Sequence, residues 1–145
     1  DGDRGVVAWM DGTVMKVSTQ TPRKQVIAAT DCQAMFKNKS NLISIDFSNL
    51  DTGNVTDMHS MFASCSGLTN LDLTSLDTQN VTNMSSMFYD CTVLTTLSIG
   101  EKFAFVGSEY NLPSGTWYSS DGTAYTSNGK SCTIPNNKAD TYTRR

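Results

Sequence analysis

Asn54–Gln79 reads NVTDMHSMFASCSGLTNLDLTSLDTQ, and the stretch from Asn80 repeats it as NVTNMSSMFYDCTVLTTLSIG before diverging. Upstream, from Ala28, AATDCQAMFKNKSNLISIDFSNLDTG is a looser copy in the same frame. The step is 26 residues, and Phe36, Phe62 and Phe88 keep it in both directions. A fixed period of ~20–50 residues marks units that stack because none can bury its apolar faces alone.

Two hydrophobic periods alternate inside each unit. Leu68, Leu71, Leu73 and Leu76 have the L-x-x-L-x-L spacing of a leucine-rich repeat. A short strand there turns Leu71 and Leu73 inward and Asp72 outward, by the period-2 rule for strands. Met58, Met61 and Phe62 fall at i, i+3 and i+4, which predicts a short helix over Thr56 to Phe62 with those three on one face. Thr56 or Asp57 serves as its N-cap, and Thr82 or Asn83 one unit later. Stacking then aligns four apolar columns: Ile45/Leu71/Leu97, Phe47/Leu73/Ile99, Met35/Met61/Met87 and Phe36/Phe62/Phe88. The methionines read as adaptable core filler rather than as a binding groove.

The resulting expectation is an α+β repeat solenoid: a short leucine-rich-repeat-like stack, strand plus short helix per unit, with β-rich caps at both ends. Residues 1–27 form an N-terminal capping hairpin, 28–105 the repeats (28–53, 54–79 and 80–105), and 106–145 a C-terminal β cap. In the first of these, VVAWM and TVMKVST flank an Asp11–Gly12 turn, and Trp9 serves as a lid on the first unit rather than as a ligand platform. After Gly100 the period breaks: EKFAFVG offers one alternating strand. GTWYSSDGTAYTSNGKSCTI reads as a meander with turns at Asp121–Gly122 and Asn128–Gly129. Trp117 and Phe103 cover the last unit.

Composition narrows function. Eleven basic against fourteen acidic residues, net charge −3, provide no field for nucleic acid or an anionic membrane surface. No apolar run approaches the ~20 residues that span a bilayer. Ser, Thr and Asn dominate the polar positions, a composition suited to an extracellular, hydrogen-bonding surface. The chain reads as a piece of a larger protein whose signal and anchor lie outside it. Four cysteines, Cys32, Cys65, Cys91 and Cys132, form no CxxC pair and hence no zinc ribbon or thioredoxin-like motif. Cys65 and Cys91 share one repeat position, either as a ladder of buried thiols or as a disulfide between units.

The pattern MF-x-x-C-x-x-L-x-x-L-x-L-x-x-L-D-T-x-N-V-T-x-M resembles the BspA-type leucine-rich repeats of bacterial surface proteins. It runs here as Met61–Phe62, Cys65, Leu68, Leu71, Leu73, Leu76, Asp77–Thr78, Asn80–Val81–Thr82 and Met84. The likeness covers Ala28 to Ile99. The first copy departs from it, with Lys39 at the Cys position, Cys32 for the first Met and Ala28–Ala29 for Asn–Val. The resemblance implies a secreted or surface-anchored protein of a host-associated bacterium, acting as an adhesin or interaction scaffold towards a protein ligand such as a host matrix or cell-surface component.

Candidate sites follow from the outward positions. Ser44, Asp46, Asn70, Asp72, Thr96 and Ser98 lie on the open strand face, where stacked-repeat proteins bind partners. A calcium site at Asp46 and Asp72 or at Asp51 and Asp77 lacks further ligands, and the turn aspartates read as caps of backbone amides. Asn54 and Asn80 match glycosylation acceptors but are explained by turn chemistry. A glycan platform of Trp117, Tyr118 and Tyr125 is the alternative binding reading, and a passive spacer the third. His59 is read as solvent-facing with no nucleophile beside it, and no phosphate loop follows a strand, so no catalytic residue, cofactor or metal is assigned.

Overall fold

The computed structural model describes residues 6–11, 14–19 and 26–145, and among the side chains of the first two segments only that of Met15. The turn residue Gly12 and the Trp9 side chain lie outside the described residues. Ten strands order the rest: β1 (Val6–Asp11), β2 (Val14–Thr19), β3 (Val26–Ile27), β4 (Ser44–Asp46), β5 (Leu50–Asp51), β6 (Asn70–Leu73), β7 (Thr96–Ile99), β8 (Gly115–Tyr118), β9 (Ala124–Ser127) and β10 (Asp140–Arg144). They form a three-stranded sheet β1-β2-β4, a five-stranded sheet β6-β7-β10-β8-β9 and a two-stranded pair β3-β5.

No helix occurs among the described residues, so the α+β solenoid expectation is overturned: the architecture is all-β. The reason lies in where the backbone amides of the Thr56–Phe62 segment go. A helix needs every N–H to turn back four residues. Here Met58, Ser60, Phe62 and Ser64 donate instead to the carbonyls of Asn83, Ser85, Met87 and Tyr89 in the next unit, at 2.7–3.0 Å. The intervening Met61, Ala63 and Cys65 close tight turns onto the residue three before. Ser60 and Ser64 hold positive φ (55° and 60°), the left-handed backbone that successive turns demand and a helix forbids. Asp57 accepts the His59 amide at 2.7 Å, an Asx turn where a helix cap was expected. Met58, Met61 and Phe62 are fully buried all the same, because three consecutive turns face one side as a helical stripe would.

The aromatic file forms. Phe36 and Phe62 stack at 5.7 Å and 5° between planes, Phe62 and Phe88 at 6.0 Å and 17°. Phe47 packs edge-on against both Phe36 and Phe62. Ile45, Leu71 and Leu97 line the interior, as do Phe47, Leu73 and Ile99. The methionine column is incomplete: Met61 and Met87 are buried, but Met35, in the first unit, is 41% exposed. β6 and β7 pair in parallel with Asn70 opposite Thr96 and Leu73 opposite Ile99, the 26-residue step carried into the ladder. At the upstream end β2 adds to β4 in parallel, Met15 opposite Ile45.

Side chains reinforce the stack. Thr52 and Thr78 are buried. The Thr52 hydroxyl accepts the Asp77 amide at 2.8 Å and donates to the Asp77 carbonyl, and Thr78 accepts the Ala104 amide at 2.9 Å. Gly67 and Gly100 permit close approach of backbones: a Cβ there would collide with the carbonyls of Ser40 and Thr74 one unit earlier.

The downstream part departs from a simple meander. Residues 101–107 form no strand; Phe103 and Phe105 are nevertheless buried, crossed edge to face at 5.1 Å. The tail strand β10 inserts antiparallel between β7 and β8, with Tyr142 opposite Leu97 and Thr143 opposite both Thr96 and Tyr118. The last repeat strand is thereby covered by the end of the chain rather than by the segment that follows it.

Two stability outcomes are expected. Phe62→Ala, which opens a hole between two rigid rings, lowers the unfolding free energy by about 3–5 kcal/mol, whereas Met35→Ala costs under about 1 kcal/mol; urea unfolding of both variants checks the contrast. Thr78→Val keeps the shape but orphans the Ala104 amide, and thermal melting should show a loss of about 1–3 kcal/mol.

Candidate functional site

The six outward residues do not share one sheet. Asn70 and Asp72 on β6 and Thr96 and Ser98 on β7 stand side by side, register partners across the parallel pair. Ser44 and Asp46 sit on β4, in the other sheet, across a seam with no strand pairing. A cavity of about 110 Å³ opens on that seam, lined by Asp46, Ser48, Asp72, Thr74 and Ser75 with Ile45 and Phe47. The face continues beyond the repeats: Ser98 shares a 2.8 Å hydrogen bond with Thr141 of β10, and Thr143 lies beside Thr96. Tyr118 follows on β8, its ring under the Arg145 guanidinium at 5.2 Å.

The aspartates of this face are backbone caps. Asp72 accepts the Thr74 amide at 2.9 Å and its hydroxyl at 2.6 Å, and Asp46 accepts the Ser48 amide at 2.9 Å. Asp51 and Asp77 do the same for Gly53 and Gln79. Among the described residues no group of three or more metal-ligating side chains gathers. Asn80 donates its amide to the Gly53 carbonyl at 2.6 Å, tying adjacent turns.

Trp117, Tyr118 and Tyr125 do not make one platform. Strand alternation sends Trp117 inward, where it has no exposed surface and its indole N–H donates to the Pro113 carbonyl at 3.1 Å. Tyr125, its register partner, is half-buried and crosses the buried Tyr142 edge-on, while Tyr118 points to the opposite side. The exposed aromatic is Tyr89, 58% accessible, at a repeat position held by Lys37 and Ala63 in the other units.

His59 is not a free surface residue. Its ring bridges Ser85 Oγ (2.9 Å) in the next unit and Ser60 Oγ (3.1 Å), while Ser85 turns its hydroxyl to Asn83, which donates to Asp57. The 26-residue spacing of His59 and Ser85 was the signal that could have found this contact. Both ring nitrogens are committed and the Ser60 side chain is buried, so the arrangement acts as a cross-link between units.

All four cysteines are free thiols. Cys65 donates to the Phe36 carbonyl at 3.0 Å and Cys91 to that of Phe62 at 3.1 Å, one ladder repeated. Burial raises both, Cys91 to about 12.

A family model described as "Mycoplasma protein of unknown function, DUF285" matches residues 10–104, about two thirds of the chain and all three repeat units. The chain belongs to the DUF285 family. No curated protein and no solved structure matches it. The family is a bacterial repeat family, and the matched DUF285 segment includes β6 and β7 but ends before β8, β9 and β10, which complete their sheet.

The thiol ladder has a measurable consequence. Because the folded state disfavours the Cys91 thiolate, its contribution to stability is complete below the unfolded thiol's value near 9 and is lost as pH rises from there towards 12. At pH 8 Cys91 and Cys65 should resist iodoacetamide until urea unfolds the chain, read by mass spectrometry of labelled peptides.

Proposed function

We propose that this chain is a non-catalytic, BspA-like repeat module of a bacterial surface or secreted protein, and that it binds host protein. The finer leucine-rich-repeat label rests on the sequence pattern that runs from Met61 to Met84; the bacterial repeat family supports it at a coarser level. The binding surface would be the outer strand face of Asn70, Asp72, Thr96 and Ser98, extended by Thr141 and Thr143.

One observation carries the preference for a polypeptide partner. Among the described residues the first unit presents a row of backbone acceptors that its neighbours do not. The carbonyls of Asp57, His59, Met61 and Ala63 accept amides of the first unit, and those of Asn83, Ser85, Met87 and Tyr89 accept amides of the second. Their counterparts in the first unit, Asp31, Gln33, Met35 and Lys37, accept no hydrogen bond from a described residue. An open row of this kind is what another chain's N–H groups satisfy when a protein extends a sheet or ladder. The outer face adds short hydroxyl and amide side chains and the single carboxylate of Asp72, consistent with a wet, polar interface.

The test is capture by immobilised host matrix glycoproteins. The double variant Asn70→Ala, Asp72→Ala should lose at least about fivefold in apparent affinity, the level of an interface hot residue, with its far-UV spectrum unchanged. Wild-type capture by that variant would refute the assigned face.

A further inference from the structure

Between the third repeat unit and the downstream sheet lies an open depression of about 380 Å³. Tyr89, Asp90 and Thr92 of the third unit form one wall, Asn111, Pro113, Ser114 and Gly129 the other, and Arg144 of β10 lies between them. Its size falls within the ~300–1,000 Å³ of small-ligand sites. From these residues we infer that the depression binds a sugar bearing a carboxylate, a uronic or sialic acid unit.

Arg144 is the reason for the acid. Its guanidinium is fixed by two carbonyls, Thr92 O at 2.6 Å to Nη2 and Ser114 O at 3.2 Å to Nη1, and rests over the Trp117 ring at 5.8 Å. Those bonds use two of five N–H donors. No carboxylate of a described residue pairs with it, and the neighbouring Glu109 is taken up by Lys130 at 3.3 Å. A braced, half-buried arginine with donors to spare matches a carboxylate in planar geometry. Trp117, buried behind it, positions the fork rather than the sugar.

Tyr89 is the reason for the ring. It is the most exposed aromatic of the described core units, at 58%, and the third unit alone carries an aromatic at this position. A free carboxylate or phosphate has no use for that surface, whereas a pyranose offers an apolar C–H face to it. Asp90 lies beside Tyr89, exposed, and Asn111 commits its Nδ2 to the Gly129 carbonyl at 3.1 Å, which leaves its Oδ1 as an acceptor. Two acceptors on opposite walls require donors from the ligand, and sugar hydroxyls supply them.

The experiment is calorimetric titration of the whole chain with the methyl glycosides of glucuronic acid and N-acetylneuraminic acid. Methyl glucoside and acetate serve as the controls for ring without acid and acid without ring. At least one acidic glycoside should bind saturably, at least about tenfold tighter than either control. Tyr89→Ala should remove that binding while its melting temperature stays at the wild-type value. Arg144→Lys, which keeps charge but loses the fork, should reduce the preference over methyl glucoside; if it unfolds, the Tyr89 variant still decides. Equal binding of methyl glucoside, undiminished binding by Tyr89→Ala, or saturation by neither acidic glycoside would each overturn the assignment.

Discussion

Everything in this structure hangs on the direction of one set of hydrogen bonds. In each repeat unit alternate backbone amides point along the stack to the next unit's carbonyls, and the amides between them close local turns. Each bond contributes about 0.5–1.5 kcal/mol net, but their collective effect is to fix register. A shift of one residue would put donors where turns close and would break the Phe file. The 26-residue period is thus enforced by backbone geometry and only then exploited by side chains: the paired rings, the thiols on Phe carbonyls and the buried threonines all sit where the ladder puts them.

That distinction explains what was legible in the sequence. The units, their step and the strand residues Leu71, Leu73, Leu97 and Ile99 were readable, since period 2 and a constant offset leave little choice. The helix was not, although Met58, Met61 and Phe62 have its spacing. Periodicity reports which residues face inward, and a run of tight turns can present the same face as a helical turn. The missing evidence lay in the Ser, Asp and Asn of the same segment, which compete for backbone amides and favour turns. Asp57 and Asn83, assigned as caps of a helix, instead hold the turns that replace it.

The candidate site was legible in part for the same reason. Residues within the repeats, Asn70, Asp72, Thr96 and Ser98, stand together because the step aligns them. Residues outside the period were misplaced. Nothing local in DTYTR says that it will enter between β7 and β8, because that pairing joins segments over forty residues apart. Once β10 is there, the alternation of β8 drives Trp117 inward and leaves Tyr118 on the outer face. Ser44 and Asp46 follow the repeat step and still fall in another sheet, since β4 pairs with β2 and not with β6.

A directional ladder also makes the two ends of the stack chemically different. At the downstream end the leftover groups are donors, and the Glu109 and Tyr110 carbonyls take the amides of Ser86 and Phe88 at 2.7 and 2.9 Å. At the upstream end the carbonyls of Asp31, Gln33, Met35 and Lys37 accept no hydrogen bond from a described residue, beside the exposed Met35. Two copies of the chain meeting by their upstream ends would set acceptors against acceptors. A copy meeting another head to tail would find half the donor row of the third unit occupied. The polarity of a single kind of bond therefore makes the two ends of the stack differ in what their described backbone groups offer.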